Sequence, residues 1–300
     1  MKSIFITSKG LLKQTSFLRI VSRNAVNLSY KILGDEDLSD PDIAPLFILH
    51  GLLGMKKHWE SLGKTMLSTT KRNAVVVDLR NHGDSPHVNS HKYQELAEDM
   101  IQLLDKLSVK RAYLVGHSMG GKTCMCISLM APHRVAGLLV LDISPASAPY
   151  NILEYMPKVL NLMKAVEFKT NDIRSSRKQV KRALDDIVTE ETFMKAIISN
   201  IRVKNGVVGW ACNLNTLIKH YKYISSFPRE MLGKKYRGPT LFLGGQLSDY
   251  IPPDDLPKIK AYFPLAVIQY IPKTGHFLHV DDPRAFLEYV ISFSRSLEGD

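Results

Sequence analysis

Short runs of apolar residues alternate with amphipathic helical patterns along most of this 300-residue chain. Each run has the length of a strand that is buried on both faces of a sheet, and it is far too short to cross a membrane. In the intervening segment Tyr93–Leu107, leucine and methionine recur at the helical spacing of three or four residues. Strands that alternate with helices predict an α/β protein with a mostly parallel sheet, and no transmembrane segment is expected. The predicted strands are Ala25–Leu33 (an edge strand), Pro45–Leu49, Ala74–Asp78, Ala112–Val115, Val135–Leu141, Thr240–Leu243 and Val267–Ile271.

The alternation of strands and helices stops between residues 147 and 238. There, apolar residues keep helical spacing from Leu153 to Val166, and Arg177–Ile187 and Thr192–Ile198 continue the helical pattern. We therefore predict an α/β core formed by residues 25–146 and 239–300, with residues 147–238 inserted as a helical lid. Such an insertion is expected over the carboxyl ends of the strands, where open α/β sheets bind their ligands.

The net charge of +11 comes mainly from two segments. Residues 1–24 carry five basic residues and no acidic residue among serines, threonines and apolar side chains, which is typical of a mitochondrial presequence. We therefore expect a location in the mitochondrial matrix, with a cytoplasmic location as the alternative. The second basic segment, residues 151–236, includes Arg174–Arg182, which suits an acidic protein or an anionic lipid surface. No sequence motif of a nucleic-acid-binding fold accompanies the charge, so no nucleic-acid partner is expected.

The pentapeptide Gly116-His117-Ser118-Met119-Gly120 has the pattern GxSxG and stands between a predicted strand and a predicted helix. This context is what a nucleophile elbow requires, because the sharp strand-to-helix turn raises the serine hydroxyl above the sheet and the glycines avoid clashes. Ser118 is therefore the predicted catalytic nucleophile.

A second glycine-rich loop, His50-Gly51-Leu52-Leu53-Gly54, directly follows the predicted strand that ends at Leu49. An acyl-transfer enzyme needs two backbone N–H groups that stabilise the oxyanion formed on the attacked carbonyl. One comes from the residue after the nucleophile, Met119, and the other from this loop, for which we predict Leu52. His50 is expected to brace the loop.

The catalytic base is expected near the C-terminus, because the elbow arrangement follows the chain order serine, acid, histidine. Thr274-Gly275-His276 comes after the strand Val267–Ile271, which places His276 on a loop at the carboxyl end of a strand. His276 is the predicted base, and His279 is expected to support the same loop. Two carboxylates remain candidates for the acid: Asp142, at the end of the strand beside the nucleophile strand, and Asp249, after the next strand.

Together, these motifs resemble the serine α/β-hydrolase superfamily, and within it the group of α/β-hydrolase domain-containing protein 11 and its bacterial esterase relatives. The resemblance covers about residues 25–294 and is carried by HGLLG (50–54), DLRNHGDSP (78–86), GHSMGGK (116–122), LDISP (141–145) and TGHFLHVDDP (274–283). It implies an α/β-hydrolase fold with an eight-stranded-type sheet and a lid inserted after strand six. It also implies a mitochondrial, serine-dependent lipid esterase with activity towards diacylglycerols.

The same resemblance bears on the acid of the predicted triad. The bacterial relatives are expected to use the earlier position, and the segment LDISP matches their pattern. Asp142 is therefore the preferred acid and Asp249 the alternative. The predicted catalytic residues are Ser118, Asp142 and His276, and this chemistry requires neither a metal nor an organic cofactor.

The predicted activity is hydrolysis of lipid carboxylic esters, in the manner of an acylglycerol or diacylglycerol lipase, through an acyl-enzyme on Ser118. Apolar residues flank the motifs, so the substrate is expected to be a hydrophobic acyl ester. The same triad would also serve a thioesterase, an acyltransferase or a C–C bond hydrolase. A further alternative is a protein that works chiefly by binding a partner through the basic lid.

Overall fold

A central sheet of seven strands organises the molecule. The computed structural model describes residues 24–40 and 43–296. Its sheet strands are β1 (Ser29–Leu33), β2 (Leu46–Leu49), β3 (Ala74–Asp78), β4 (Ala112–His117), β5 (Val135–Leu141), β8 (Thr240–Gly245) and β9 (Ala266–Ile271), and a separate hairpin consists of β6 (Ile201–Lys204) and β7 (Val207–Trp210). The sheet order is β1-β3-β2-β4-β5-β8-β9, in which β1 alone runs antiparallel to its neighbour. The predicted α/β architecture and edge strand are confirmed.

Helices cover both faces of this sheet, which explains why its strands are apolar throughout. Every residue of β2, β3, β4 and β8 is buried, as expected for strands that pack against helices on two sides. One apolar core joins the sheet to α2 and α3, and the other joins it to α1 and α11. The helices are α1 (Glu60–Thr70), α2 (Tyr93–Lys106), α3 (Met119–Met130), α4 (Met156–Ala165), α5 (Ile173–Leu184), α6 (Glu191–Ser199), α7 (Leu214–Lys219), α8 (Tyr221–Ser225), α9 (Leu256–Tyr262), α10 (Leu278–Asp281) and α11 (Pro283–Arg295).

The count of sheet strands corrects one expectation. The implied sheet was of the eight-stranded type with an insertion after strand six, whereas the described residues form seven sheet strands and the insertion follows the fifth, β5. The described segment before β2 contributes the single strand β1. Residues 1–23, which make up nearly all of the predicted presequence, lie outside the described residues.

Residues 147–238, predicted as a helical lid, contain α4 to α8 and also a hairpin of β6 and β7, which was not predicted. The two strands pair antiparallel from Ile201 with Trp210 to Lys204 with Val207. They are joined by Asn205 and Gly206, both with positive φ. An Asn-Gly pair with this backbone favours the tight two-residue turn of a hairpin, so the local signal was present in the sequence.

No helix within residues 24–40 and 43–296 combines the length and apolarity that a bilayer crossing demands.

Candidate active site

Ser118 occupies a sharp turn between the carboxyl end of β4 and the first residue of α3. Its backbone has φ 51° and ψ −115°, a strained conformation for a residue with a side chain. The turn is possible because its neighbours are glycines. A Cβ atom on Gly116 would lie 2.4 Å from the carbonyl oxygen of Gly120, and one on Gly120 would lie 2.4 Å from the carbonyl oxygen of Leu49. The strand–turn–helix context predicted for the GxSxG motif is therefore present.

This packing predicts a large loss of stability when Gly120 is enlarged. Gly120→Ala should lower the free energy of unfolding by about 1–3 kcal/mol or more, because the added methyl group meets rigid backbone atoms of the β2 end. Urea unfolding followed by circular dichroism measures the change. Gly209→Ala is the matched control, since no atom lies within 4 Å of a Cβ built there. Equal stability of the two variants would contradict the close packing of the elbow.

The loop after β2 lies directly against Ser118. A Cβ atom on Gly51 would be 3.2 Å from the Cβ atom of Ser118, and Leu52, Ser118 and Met119 line the same cavity. Met119 is the first residue of α3, where a helix leaves backbone N–H groups without intrahelical partners. The two predicted oxyanion-hole residues are thus beside Ser118.

His50 makes two hydrogen bonds that brace this loop. Its Nδ1 donates to the carbonyl oxygen of Gly51 (2.8 Å), and its Nε2 accepts the backbone N–H of Leu79 (3.0 Å). Burial lowers the pKa of His50 to about 3, so the ring is neutral and can make both bonds at once.

His276 contacts Asp142 and not Asp249. The Nδ1 atom of His276 lies 2.8 Å from Oδ2 of Asp142. Asp142 is fully buried and also accepts hydrogen bonds from the backbone N–H of Gly245 (2.9 Å) and from the hydroxyl of Ser248. Asp249 is exposed, and no hydrogen bond or ion pair among residues 24–40 and 43–296 joins it to His276.

Two glycines at the end of β8 allow the histidine loop to reach across to Asp142. A Cβ atom on Gly245 would lie 2.2 Å from the carbonyl oxygen of Gly275, and one on Gly244 would lie 2.9 Å from the ring of Tyr270. Any larger residue at position 245 would hold the loop after β9 away from the end of β8. Since β8 lies between β5 and β9 in the sheet, this close crossing brings His276 to the carboxylate at the end of β5.

Three side chains that the sequence did not single out surround the histidine. The Ser248 hydroxyl donates to Asp142, the Tyr250 ring stacks on the His276 ring with a centroid distance of 3.8 Å, and the Nε2 of His117 donates to the carbonyl oxygen of His276 (2.8 Å). The rings of His117 and His276 are 4.6 Å apart. Ser248 stands immediately before Asp249, the alternative acid, so the sequence pointed to this loop but not to the Ser248 side chain.

Ser248 is expected to act by positioning Asp142. Ser248→Ala removes a hydrogen bond to a buried carboxylate, so kcat should fall on the order of tenfold or more, with a smaller change in KM. Steady-state kinetics on a soluble ester measures both constants. Ser248→Thr keeps the hydroxyl and should restore most of kcat. If both variants lose the same activity, the effect is not due to the hydrogen bond.

Ser118 and His276 face a largely apolar cavity of about 500 Å³. Residues of the insertion form part of its wall. His279 also lines the cavity, and its ring stacks on the Trp59 ring with a centroid distance of 4.2 Å. Desolvation lowers the pKa of His279 to about 3. A cavity of this volume is within the range that binds small organic ligands. Its apolar lining residues include Leu52, Trp59, Met119, Ile143, Ile152, Tyr155, Met156, Phe193, Tyr221, Ile224, Tyr250 and Phe277.

Comparisons with known proteins agree with this architecture. Residues 44–283 match the family model of the alpha/beta hydrolase fold. The chain is 38% identical to "sn-1-specific diacylglycerol lipase ABHD11" of Danio rerio, covering 89% of this chain and 82% of the relative. It is 39% identical to the Mus musculus protein of the same name, over 89% and 84% of the two chains. A solved marine microorganism esterase superposes with a TM-score of 0.80 at 30% identity, over 90% of this chain and 100% of the esterase. The chain therefore belongs to the α/β-hydrolase family, in the group that includes the ABHD11 proteins.

Proposed function

We propose that the protein is a carboxylic ester hydrolase that cleaves lipid esters through an acyl-enzyme on Ser118. The observation that carries this proposal is the bond between Nδ1 of His276 and Oδ2 of Asp142, at the wall of an apolar cavity that Ser118 also lines. A buried carboxylate on Nδ1 fixes the tautomer in which Nε2 is free to accept a proton, which is what a serine nucleophile requires.

In the first step, His276 takes the proton from the Ser118 hydroxyl while the oxygen attacks the ester carbonyl. The negative charge that develops on the carbonyl oxygen is stabilised by the backbone N–H groups of Leu52 and Met119, for which each donor contributes about 3–4 kcal/mol in comparable enzymes. Protonated His276, stabilised by Asp142, then gives its proton to the leaving alcohol. The products of this step are the free alcohol and the Ser118 acyl ester.

In the second step, His276 takes a proton from water as the water oxygen attacks the acyl-enzyme carbonyl. The same N–H groups stabilise the second oxyanion, and the proton returns to the Ser118 oxygen as the fatty acid leaves. The complete reaction consumes one ester and one water and releases one alcohol and one fatty acid.

The substrate class follows from the cavity. Most of the surface of its wall is apolar, with leucine, isoleucine, methionine and aromatic side chains among the lining residues, which favours acyl chains over strongly charged groups. Diacylglycerols are the proposed natural substrates, because the relatives from Danio rerio and Mus musculus carry that activity in their names. Residues 147–238 are proposed to act as a lid, since Ile152, Tyr155 and Phe193 of this segment line the cavity.

A hydrolysis panel tests the proposal. The purified protein is offered short-chain esters, monoacylglycerols, diacylglycerols and acyl-CoA thioesters, and we expect the diacylglycerols to give the highest kcat/KM. Faster cleavage of thioesters would identify a thioesterase, and transfer of the acyl group to an added alcohol in preference to water would identify an acyltransferase. A folded protein that cleaves no member of the panel would contradict the proposal and favour a chiefly binding role.

We also propose that the protein acts in the mitochondrial matrix, on the basis of the composition of residues 1–24. A C-terminal fluorescent fusion should colocalise with a matrix marker, and deletion of residues 2–24 should move it to the cytoplasm. An unchanged location after the deletion would contradict the presequence.

The basic face of α5 is proposed to approach anionic lipid surfaces. Arg174, Arg177, Lys178, Lys181 and Arg182 are all exposed there, and clustered basic side chains are attracted to anionic lipid. Vesicles that contain phosphatidylserine should sediment the protein more than neutral phosphatidylcholine vesicles do. Reversal of three of these charges should abolish the difference.

A further inference from the structure

A second cavity of about 320 Å³ adjoins the proposed catalytic cavity, and we name it the side pocket. Lys122 is the one residue that stands in the wall of both cavities. The other lining residues come from the segment after β5, from the end of α8 and the loop behind it, and from α9. They are Pro145, Ala146, Ser147, Ala148, Leu153, Ser225, Ser226, Phe227, Pro228, Arg229, Leu232 and Tyr262.

Lys122 is a buried cation at the inner end of the side pocket. Only 2% of its surface is exposed. Its Nζ donates to the carbonyl oxygens of Ser225 (3.0 Å) and Ser226 (3.4 Å) and lies 5.9 Å from the centre of the Tyr93 ring. Within residues 24–40 and 43–296, no ion pair includes Lys122.

The absence of an acidic partner for Lys122 in the described part of the chain has an energetic consequence. An ammonium group removed from water is costly unless an opposite charge compensates it. Burial lowers the pKa of Lys122 to about 8, so most of the population remains protonated at neutral pH. Carbonyl dipoles and an aromatic ring supply part of the compensation, and an anion in the side pocket would supply the rest.

The outer end of the side pocket is both apolar and basic. Leu153 and Leu232 line it with 53% and 68% of their surfaces exposed, which is unusual for two leucines at one opening. Phe227 extends the apolar wall, and the exposed Arg229 adds a second positive charge. A ligand that matches this surface has one negative group and a hydrocarbon chain.

We propose that the side pocket is a binding site for a long-chain fatty acid, with its carboxylate at Lys122 and its chain directed outward along Leu153 and Leu232. The occupant is chosen by charge complementarity to Lys122 and by the apolar character of the opening. The inference rests on the proposed function in one respect, because ester hydrolysis supplies fatty acid at the neighbouring site. The binding itself does not require Ser118.

Binding of oleate to the Ser118→Ala protein, measured by isothermal titration calorimetry, tests the proposal. Lys122→Met should raise the Kd for oleate at least tenfold, because the methionine keeps the length of the side chain but not its charge. Lys235→Met, which removes an exposed lysine outside the side pocket, should leave the Kd unchanged. If Lys122→Met does not fold, Leu232→Asp serves instead, since it places a negative charge at the exposed opening and should raise the Kd by a similar factor.

Two further measurements separate the side pocket from the catalytic cavity. A small dialkyl fluorophosphonate occupies the cavity of Ser118 and leaves the side pocket open. Wild-type protein that has reacted with it should therefore still bind oleate. Oleyl alcohol should bind at least tenfold more weakly than oleate. Loss of oleate binding after labelling, equal binding of oleyl alcohol, or tighter binding of oleyl phosphate than of oleate would each overturn the assignment. Failure of the proposed function would be distinguishable, as a lack of ester hydrolysis with oleate binding intact.

Discussion

Ser118→Ala is expected to lower kcat for ester hydrolysis on the order of 10⁶-fold, the scale of loss when a triad serine is removed from a comparable enzyme. The oxygen that would form the acyl-enzyme is absent in this variant, and no other hydroxyl occupies the elbow at the start of α3. KM should change little, because the apolar wall of the cavity is untouched. Steady-state kinetics on a chromogenic ester, with the variant at high concentration, measures the residual rate.

Ser128→Ala is the matched control for this prediction. Ser128 is also a buried serine of α3, and its hydroxyl donates to the carbonyl oxygen of Met125 within the helix. Ser128→Ala should retain wild-type kcat per folded molecule. Residual activity of Ser118→Ala within tenfold of wild type would show that another group attacks the ester.

Asp142→Asn is expected to lower kcat about 10⁴-fold, a smaller loss than that of Ser118→Ala. The buried amide can turn its NH₂ group towards Nδ1 of His276, which then becomes an acceptor and forces the proton onto Nε2. A ring protonated on Nε2 cannot take the proton of Ser118. The variant also loses the negative charge that stabilises protonated His276, so both effects act in the same direction.

Asp249→Asn provides the comparison with the alternative acid. The Asp249 side chain is exposed, and the change removes only a charge near Tyr250. Its kcat should remain within about twofold of wild type, as surface substitutions usually have small effects. A pH–rate profile of both variants separates loss of the base from loss of folding. A larger loss in Asp249→Asn than in Asp142→Asn would exchange the roles of the two carboxylates.

The layered α/β fold could be predicted from the sequence because parallel strands that are buried on both faces consist of short apolar runs. Val135–Leu141 and Ala74–Asp78 were predicted with the bounds that the structure has for β5 and β3. The GxSxG turn was equally accessible, since the glycines at 116 and 120 have no room for a side chain. In both cases the constraint acts between residues that are close in sequence.

The insertion was harder to predict because its elements are short and depend on packing. Four-residue strands such as Ile201–Lys204 carry little periodicity, and only the Asn205-Gly206 pair marked the hairpin. The sheet within residues 24–40 and 43–296 has seven strands, the number of apolar runs in the sequence, whereas the resemblance implied eight.

The partner of His276 depends on contacts between residues far apart in sequence. Chain order leaves Asp142 and Asp249 both available, since each follows a strand between Ser118 and His276. The deciding feature is the close crossing at Gly245, where the backbone of Gly275 leaves no space for a Cβ atom. The adjacent glycines 244 and 245 are visible in the sequence, but the sequence does not show that the loop of Gly275 packs against Gly245.

The most direct test of the central claim is to trap the nucleophile. The wild-type protein is treated with a fluorophosphonate, digested, and analysed by mass spectrometry, alongside the Ser118→Ala variant. We predict one adduct on the peptide that contains Ser118, slower labelling in Asp142→Asn, and no adduct in Ser118→Ala. An adduct on a different residue, or no adduct on a folded wild-type protein that hydrolyses esters, would contradict the proposal that Ser118 forms the acyl-enzyme.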